Sequence, residues 1–125
     1  MTIALDGSNG ITFPNASTQS VGGIGAGGQT WTDVTSSRAM GTTYTNSTGR
    51  PIEVLITLDG GGPGARHDIY VNSVNIGKCY ATDYYSGSAA TTHYQLANFT
   101  IPNGATYSDN VGNGSASVLL WFELR

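Results

Sequence analysis

The sequence predicts an all-β fold, an antiparallel β-sandwich or jelly roll with a short N-terminal arm. Three observations lead there. Apolar residues recur at every second position in several segments, and these segments are bounded by clusters of Gly, Asn and Ser. Nowhere do apolar residues hold the i, i+3, i+4, i+7 spacing for three helical turns. The chain of 125 residues is also rich in weak helix formers, with eighteen Gly and many Thr and Asn. Its length suits one domain with an ordinary core.

Taken in order, residues 1–28 read as an attachment arm: two brief apolar pairs, Ile3 with Leu5 and Ile11 with Phe13, precede a Gly-rich stretch that ends at Gly28. Residues 29–125 form the sandwich. Segments 29–34 and 42–46 are short Thr-rich strands. The clearest strand is 51–58, where Ile52, Val54, Ile56 and Leu58 share a face; the run from Asp59 to Gly64 that follows suits a loop. Residues 67–78 read as a hairpin turning at Asn72-Ser73, with Ile69, Val71, Val74 and Ile76 on one face. Segment 94–101 is a strand whose phase slips near Ala97, which predicts a bulge. Pro102-Asn103-Gly104 turns the chain, and 115–124 closes the fold, for about eight sandwich strands in all.

The closing strand carries more. Ala116, Val118, Leu120, Phe122 and Leu124 form one apolar face, assigned to the core. Leu119 and Trp121 then face the other way, where a monomer normally presents polar side chains, and Leu55 interrupts the polar face of its own strand in the same manner. Either a loop or the arm covers these residues, or a second subunit does; the second reading makes Leu55, Leu119 and Trp121 an oligomer interface.

Charge narrows the function. Only 10% of residues are charged, against about 25% in a typical domain. The net charge is −3 and the five basic residues are scattered, so the stripe that nucleic-acid binding requires is missing. The longest apolar run, 118–122, falls far short of a helical membrane span, and no secretion signal is expected from the first residues. The single cysteine, Cys79, leaves no internal disulfide and no Cys-based zinc site.

Catalytic constellations are poorly represented. His67-Asp68 lacks the Gly-x-Ser-x-Gly elbow of a serine hydrolase, and Asp59, Asp68, Asp83 and Asp109 all lie beside turn-forming residues, where Asp caps its own backbone. No enzyme activity, cofactor or metal is expected. The run Asp6-Gly7-Ser8-Asn9-Gly10 lacks the closing Glu of a calcium loop, and a metal held by three copies of His67 or His93 on a trimer axis lacks a paired His-x-His. Four Asn-x-Ser/Thr triplets, at Asn15, Asn46, Asn98 and Asn113, are what this composition produces by chance. One recognition segment remains, from Cys79 to Tyr94. Its Tyr80, Asp83, Tyr84, Tyr85 and His93 combine rings on which sugars stack with side chains that bond hydroxyls.

Several stretches resemble a known group. Leu5-Asp-Gly-Ser-Asn-Gly-Ile-Thr-Phe-Pro-Asn-Ala-Ser-Thr-Gln-Ser20 resembles a short segment that recurs in bacteriophage tail-fibre and other virion proteins. Gln29-Thr-Trp-Thr-Asp-Val-Thr-Ser-Ser-Arg-Ala39 and Gly41-Thr-Thr-Tyr-Thr-Asn-Ser-Thr-Gly-Arg-Pro51 resemble the start of the β-sandwich tip domain in those proteins. So do Ile69-Tyr-Val-Asn-Ser-Val-Asn-Ile76, Phe99-Thr-Ile-Pro-Asn-Gly-Ala-Thr-Tyr107 and Leu120-Trp-Phe-Glu-Leu-Arg125, in consistent order over nearly the whole chain. The resemblance implies a virion structural protein, usually a homotrimer with other virion proteins as partners, often an appendage tip touching the host surface, with a glycan as the expected contact. A capsid decoration protein and a free carbohydrate-binding module are the alternatives.

Overall fold

A computed structural model describes residues 28–60, 62, 64–80 and 93–125, together with the backbone of five short strands outside them. In chain order the strands are β1 (Ala4–Asp6), β2 (Gly10–Thr12), β3 (Thr18–Gln19), β4 (Trp31–Asp33), β5 (Tyr44–Thr45), β6 (Ile52–Asp59), β7 (Arg66–Val71), β8 (Val74–Tyr80), β9 (Tyr84–Ser86), β10 (Ala89–Thr91), β11 (Tyr94–Ile101), β12 (Thr106–Asn113) and β13 (Ser117–Leu124). The helical content described is one 3-10 turn, Thr35–Ser37.

Eight strands build two four-stranded antiparallel sheets, ordered β11-β6-β13-β4 and β5-β12-β7-β8. Counted one to eight along the chain, the sheets run 6-3-8-1 and 2-7-4-5, consecutive strands changing sheet except at the hairpin of the fourth and fifth, which is the interleaving of a jelly roll. Of the expected arm, Gly28 and the backbone of β1, β2 and β3 are described; these three strands pair with one another as a small antiparallel sheet.

β6 anchors the first sheet because its alternation is unbroken: Ile52, Val54, Ile56 and Leu58 are all buried, with intermediate positions between them. β11 pairs with it over eight residues without a register shift. The bulge expected near Ala97 is therefore absent. Ala97, Phe99 and Ile101 point into the sandwich, and Leu96 faces out, 56% exposed. The β7–β8 hairpin turns at Asn72 and Ser73, with φ of 49° and 65°, the left-handed pair that such a tight turn requires. A register shift in this hairpin leaves Ile76 without a cross-strand partner; it lines the same cleft as Ile69 but is half exposed, and Val74 at the tip is exposed too.

β12 has no counterpart among the expected strands. Its sequence, Thr-Tyr-Ser-Asp-Asn-Val-Gly-Asn, lacks apolar alternation because the inward position at its centre is Asp109. Gly112 has a definite role there. A Cβ on it would lie 2.5 Å from Arg66 Nε and 2.6 Å from the Asp68 carboxylate, so only glycine lets this ion pair lie across the strand. Asn46 fastens the opposite end. Buried to 1%, it reaches the carbonyls of Arg50 and Ile101 at 2.8 and 3.0 Å and accepts from the Thr48 hydroxyl at 2.7 Å. Such burial removes Asn46 as a glycosylation acceptor in the folded chain.

The largest correction concerns β13. Its register shifts between Val118 and Leu120, so Leu119 is a bulge and the inward parity changes from even to odd residue numbers. Trp121 and Glu123 point into the sandwich, while Leu120, Phe122 and Leu124 point outward. Trp121, expected at an oligomer interface, is instead 1% exposed in the core. There it meets Tyr44 edge-on at 6.0 Å between ring centroids and Tyr107 at 6.4 Å.

Candidate functional site

Three places gather chemistry: the end of the sandwich that carries the Tyr-rich segment, the outer face of the first sheet, and the polar interior. At the first, β8 ends at Tyr80 and β11 begins at Tyr94, so the connection between the sheets leaves and returns at one end of the sandwich. Tyr80 and Tyr94 are 57% and 60% exposed, and His93 is exposed. Asp83 lies outside the described residues; Tyr84 and Tyr85 are placed by backbone alone, in the β9–β10 hairpin. Of the expected recognition segment the structure thus describes the side chains of Tyr80, at the end of β8, and of His93 and Tyr94, at the start of β11. Below them the edge strands β8 and β11 part to leave a cleft of about 230 Å³, lined by Ile69, Ile76, Cys79, Leu96 and Phe99 among others.

The outer face of the first sheet carries several large apolar side chains among polar ones. The cross-strand pairs place Leu96 and Leu120 on either side of Thr57, Phe122 beside Leu55, and Leu124 beside Trp31, with Asn98, Thr100, Glu53 and Asp33 on the same face. Trp31 is 47% exposed and Leu120 40%, while Leu55, Phe122 and Leu124 are half-buried. Leu119, at the bulge, is exposed beside them. Of the residues expected at an interface, Leu55 and Leu119 are therefore on or beside this face, and Phe122 and Leu124 stand where Trp121 was expected.

Inside, Glu123 is fully buried. Arg38 donates to it from Nε at 2.8 Å and from Nη2 at 3.0 Å, and the Tyr107 hydroxyl donates at 2.6 Å from the opposite sheet. Arg125 Nη1 approaches the same carboxylate at 3.3 Å, and the Arg38 guanidinium rests 4.4 Å over the Tyr44 ring. Planar bidentate pairing of this kind suits arginine and not lysine. Burial pushes the Tyr107 hydroxyl well above the usual phenol range, and its bond to the Glu123 carboxylate pushes the same way. Folded chains thus keep a proton that unfolded chains release near pH 10. This contribution is whole below that pH and is lost as pH rises beyond it. Denaturant titrations are expected to show a steeper loss of stability above about pH 10 for the native chain than for Tyr107→Phe. Equal slopes would contradict the assignment.

His67 is bonded through Nδ1 to Asp109, 2.9 Å from each carboxylate oxygen, not to its neighbour Asp68. Both side chains have zero exposure. The pair resembles the base and orienting acid of a hydrolase, yet it is sealed between the sheets, where no substrate reaches it. The same burial keeps His67 from meeting its copies on a symmetry axis. Cys79, opposite His67 on β8, has its thiol raised by burial and then by Asp109, the reverse of what activates a nucleophilic cysteine. Nothing in the sequence marked Glu123, Asp109 or Arg38 as partners; Arg38 and Glu123 are 85 residues apart.

Comparison with protein-family models, with curated proteins and with solved structures gave no match.

Proposed function

We propose that this chain is a non-catalytic structural module of a bacteriophage particle: a fibre or appendage tip, assembled as a homotrimer, that contacts the host cell surface through glycan. The observation that carries the reading is the apolar outer face formed by Leu55, Leu96, Leu120, Phe122, Leu124 and Trp31. A monomer seldom exposes a contiguous apolar patch beyond a few hundred Å². In a composition otherwise dominated by hydroxyls and amides, a second copy of the chain is the natural cover for such a face. The ordered series of segments resembling virion proteins supports the same reading. Contact with a surface polysaccharide suits the exposed Tyr80 and Tyr94 beside His93. Charged groups inside the sandwich are spent on structure, which supports a protein that adheres and does not react.

Sedimentation tests it. The native chain is expected to sediment as a trimer at micromolar concentration. The double variant Leu120→Ser, Trp31→Ser is expected to sediment as a monomer while remaining folded, at a cost of about 1–3 kcal/mol, since each position is a little less than half exposed. A native monomer at that concentration would overturn the proposal.

A further inference from the structure

We propose that the outer face of the second sheet holds a binding groove for a neutral saccharide, seated over Ser108. The groove measures about 220 Å³ and is lined by Tyr107, whose hydroxyl is bonded to Glu123, and by six further polar residues, Thr43, Tyr70, Ser73, Thr106, Ser108 and Asn110. β5 pairs with β12 at Thr106 and Tyr107, and the chain before it stays alongside, with the Gly41 N–H bonding the Asp109 carbonyl at 2.8 Å, so segment 41–45 borders the groove along β12. Tyr70 stands directly across from Ser108 on β7, and Asn110 follows on the same face of β12.

Hydrogen-bonding capacity in this groove is unspent. Among the described residues, none of these six side chains makes a hydrogen bond to another protein group, although side chains of the same types elsewhere are engaged, as Asn46, Thr48 and Thr35 show. Ser108 is the telling one. The residue is 6% exposed, yet its hydroxyl, which no protein group bonds, is not among the buried atoms and opens to the groove, where a ligand hydroxyl can take the place of water. Each Ser and Thr hydroxyl offers one donor and two acceptor positions, and the Asn110 amide offers both kinds.

The lining selects the class of ligand. It contains no charged side chain, so an anionic or cationic ligand finds no counter-ion there. An apolar ligand would leave six polar side chains without partners. What matches is a small neutral molecule dense in hydroxyls, with one weakly polar face to lie along the Tyr70 ring. The volume lies below the roughly 300 Å³ at which pockets for drug-sized ligands begin, and so suits one sugar ring, not a chain buried end to end. This deepens the glycan contact proposed above and rests on it for the class of partner, but it uses a face remote from the apolar one, so binding and self-association fail separately.

Amide-resolved NMR titration of the full chain with glucose, galactose, mannose and N-acetylglucosamine, each taken well past millimolar, tests it, with N-acetylneuraminic acid as the anionic comparison. At least one neutral sugar is expected to shift the amides of residues 70–73 and 106–110, with a dissociation constant on the order of millimolar. Asn110→Ala and Ser108→Ala are each expected to weaken that binding about 3- to 10-fold while leaving the spectrum of the rest of the sandwich unchanged. If Ser108→Ala disturbs the fold, Asn110→Ala and Tyr70→Phe, each at a partly buried position, carry the test. Shifts confined to the Tyr80–Tyr94 end, preference for the anionic sugar, undiminished binding in the variants, or no shift at these amides would each overturn the groove. Sedimentation of the same samples separates the outcomes: a monomer that still shows the groove shifts refutes the assembly and keeps the site, and a trimer without them does the reverse.

Discussion

Trp121→Ala is expected to destabilise the fold by about 3–5 kcal/mol, as truncation of a large buried aromatic does. Trp121 is the largest side chain buried below 2% exposure, and three elements converge on it. Its ring packs against Tyr44 of β5 and Tyr107 of β12, so it joins the two sheets. Its backbone N–H donates to the Thr35 hydroxyl at 2.8 Å and its carbonyl accepts the Val34 N–H at 2.9 Å, which fixes the strand from which the ring projects. The indole N–H has no partner among the described residues. Trp121→Phe removes that orphan donor and keeps most of the ring, so it is expected to cost far less than Trp121→Ala. Urea denaturation of the three proteins checks the order. A Trp121→Ala chain of native stability that has merely lost self-association would restore Trp121 to the surface and refute the core assignment.

This tryptophan also shows where the sequence stops being informative. Period-two reading of β6 was correct residue by residue, because a strand with four aliphatic residues at alternate positions has one way to face a core. The hairpin turn was legible for a comparable reason, since Asn at a tight turn tolerates a positive φ. In β13, Leu-Leu-Trp-Phe-Glu-Leu carries large apolar groups at both parities, so alternation alone allows either face inward, and a one-residue bulge at Leu119 decides it. The inward choice that buries Glu123 looks forbidden until Arg38 is brought to it from the far end of the domain. β12 was missed by the same logic: Asp109 sits inward only because His67 on the neighbouring strand receives it. The excess of apolar groups on the closing strand was readable. Which of those groups face out was not, because that depends on a pairing register. The groove over Ser108 left no mark in the sequence, since it depends on how segment 41–45 lies along β12.

Glu123→Ala is expected to cost about 3–5 kcal/mol, the range for breaking a buried ion pair from one side. The loss comes less from the missing carboxylate than from what it leaves behind. Arg38, held by two short bonds and resting on Tyr44, keeps its charge with its acceptor gone, and the Tyr107 hydroxyl is left inside the sandwich without a partner. If that account is right, removing the donors together with the acceptor must restore part of the loss. The triple change Glu123→Leu, Arg38→Met, Tyr107→Phe is expected to be clearly more stable than Glu123→Ala, because it strands no polar group. A double-mutant cycle between Arg38→Met and Glu123→Leu is then expected to give a coupling of about 1–3 kcal/mol. Coupling near zero would mean that solvent already relieves the pair and that Glu123 is not sealed between the sheets. The size of this term bears on function as well. A carboxylate, two arginines and a tyrosine hydroxyl placed within bonding reach have the makings of a catalytic group, and strong mutual coupling with no exposure of the carboxylate commits them to holding the sheets together.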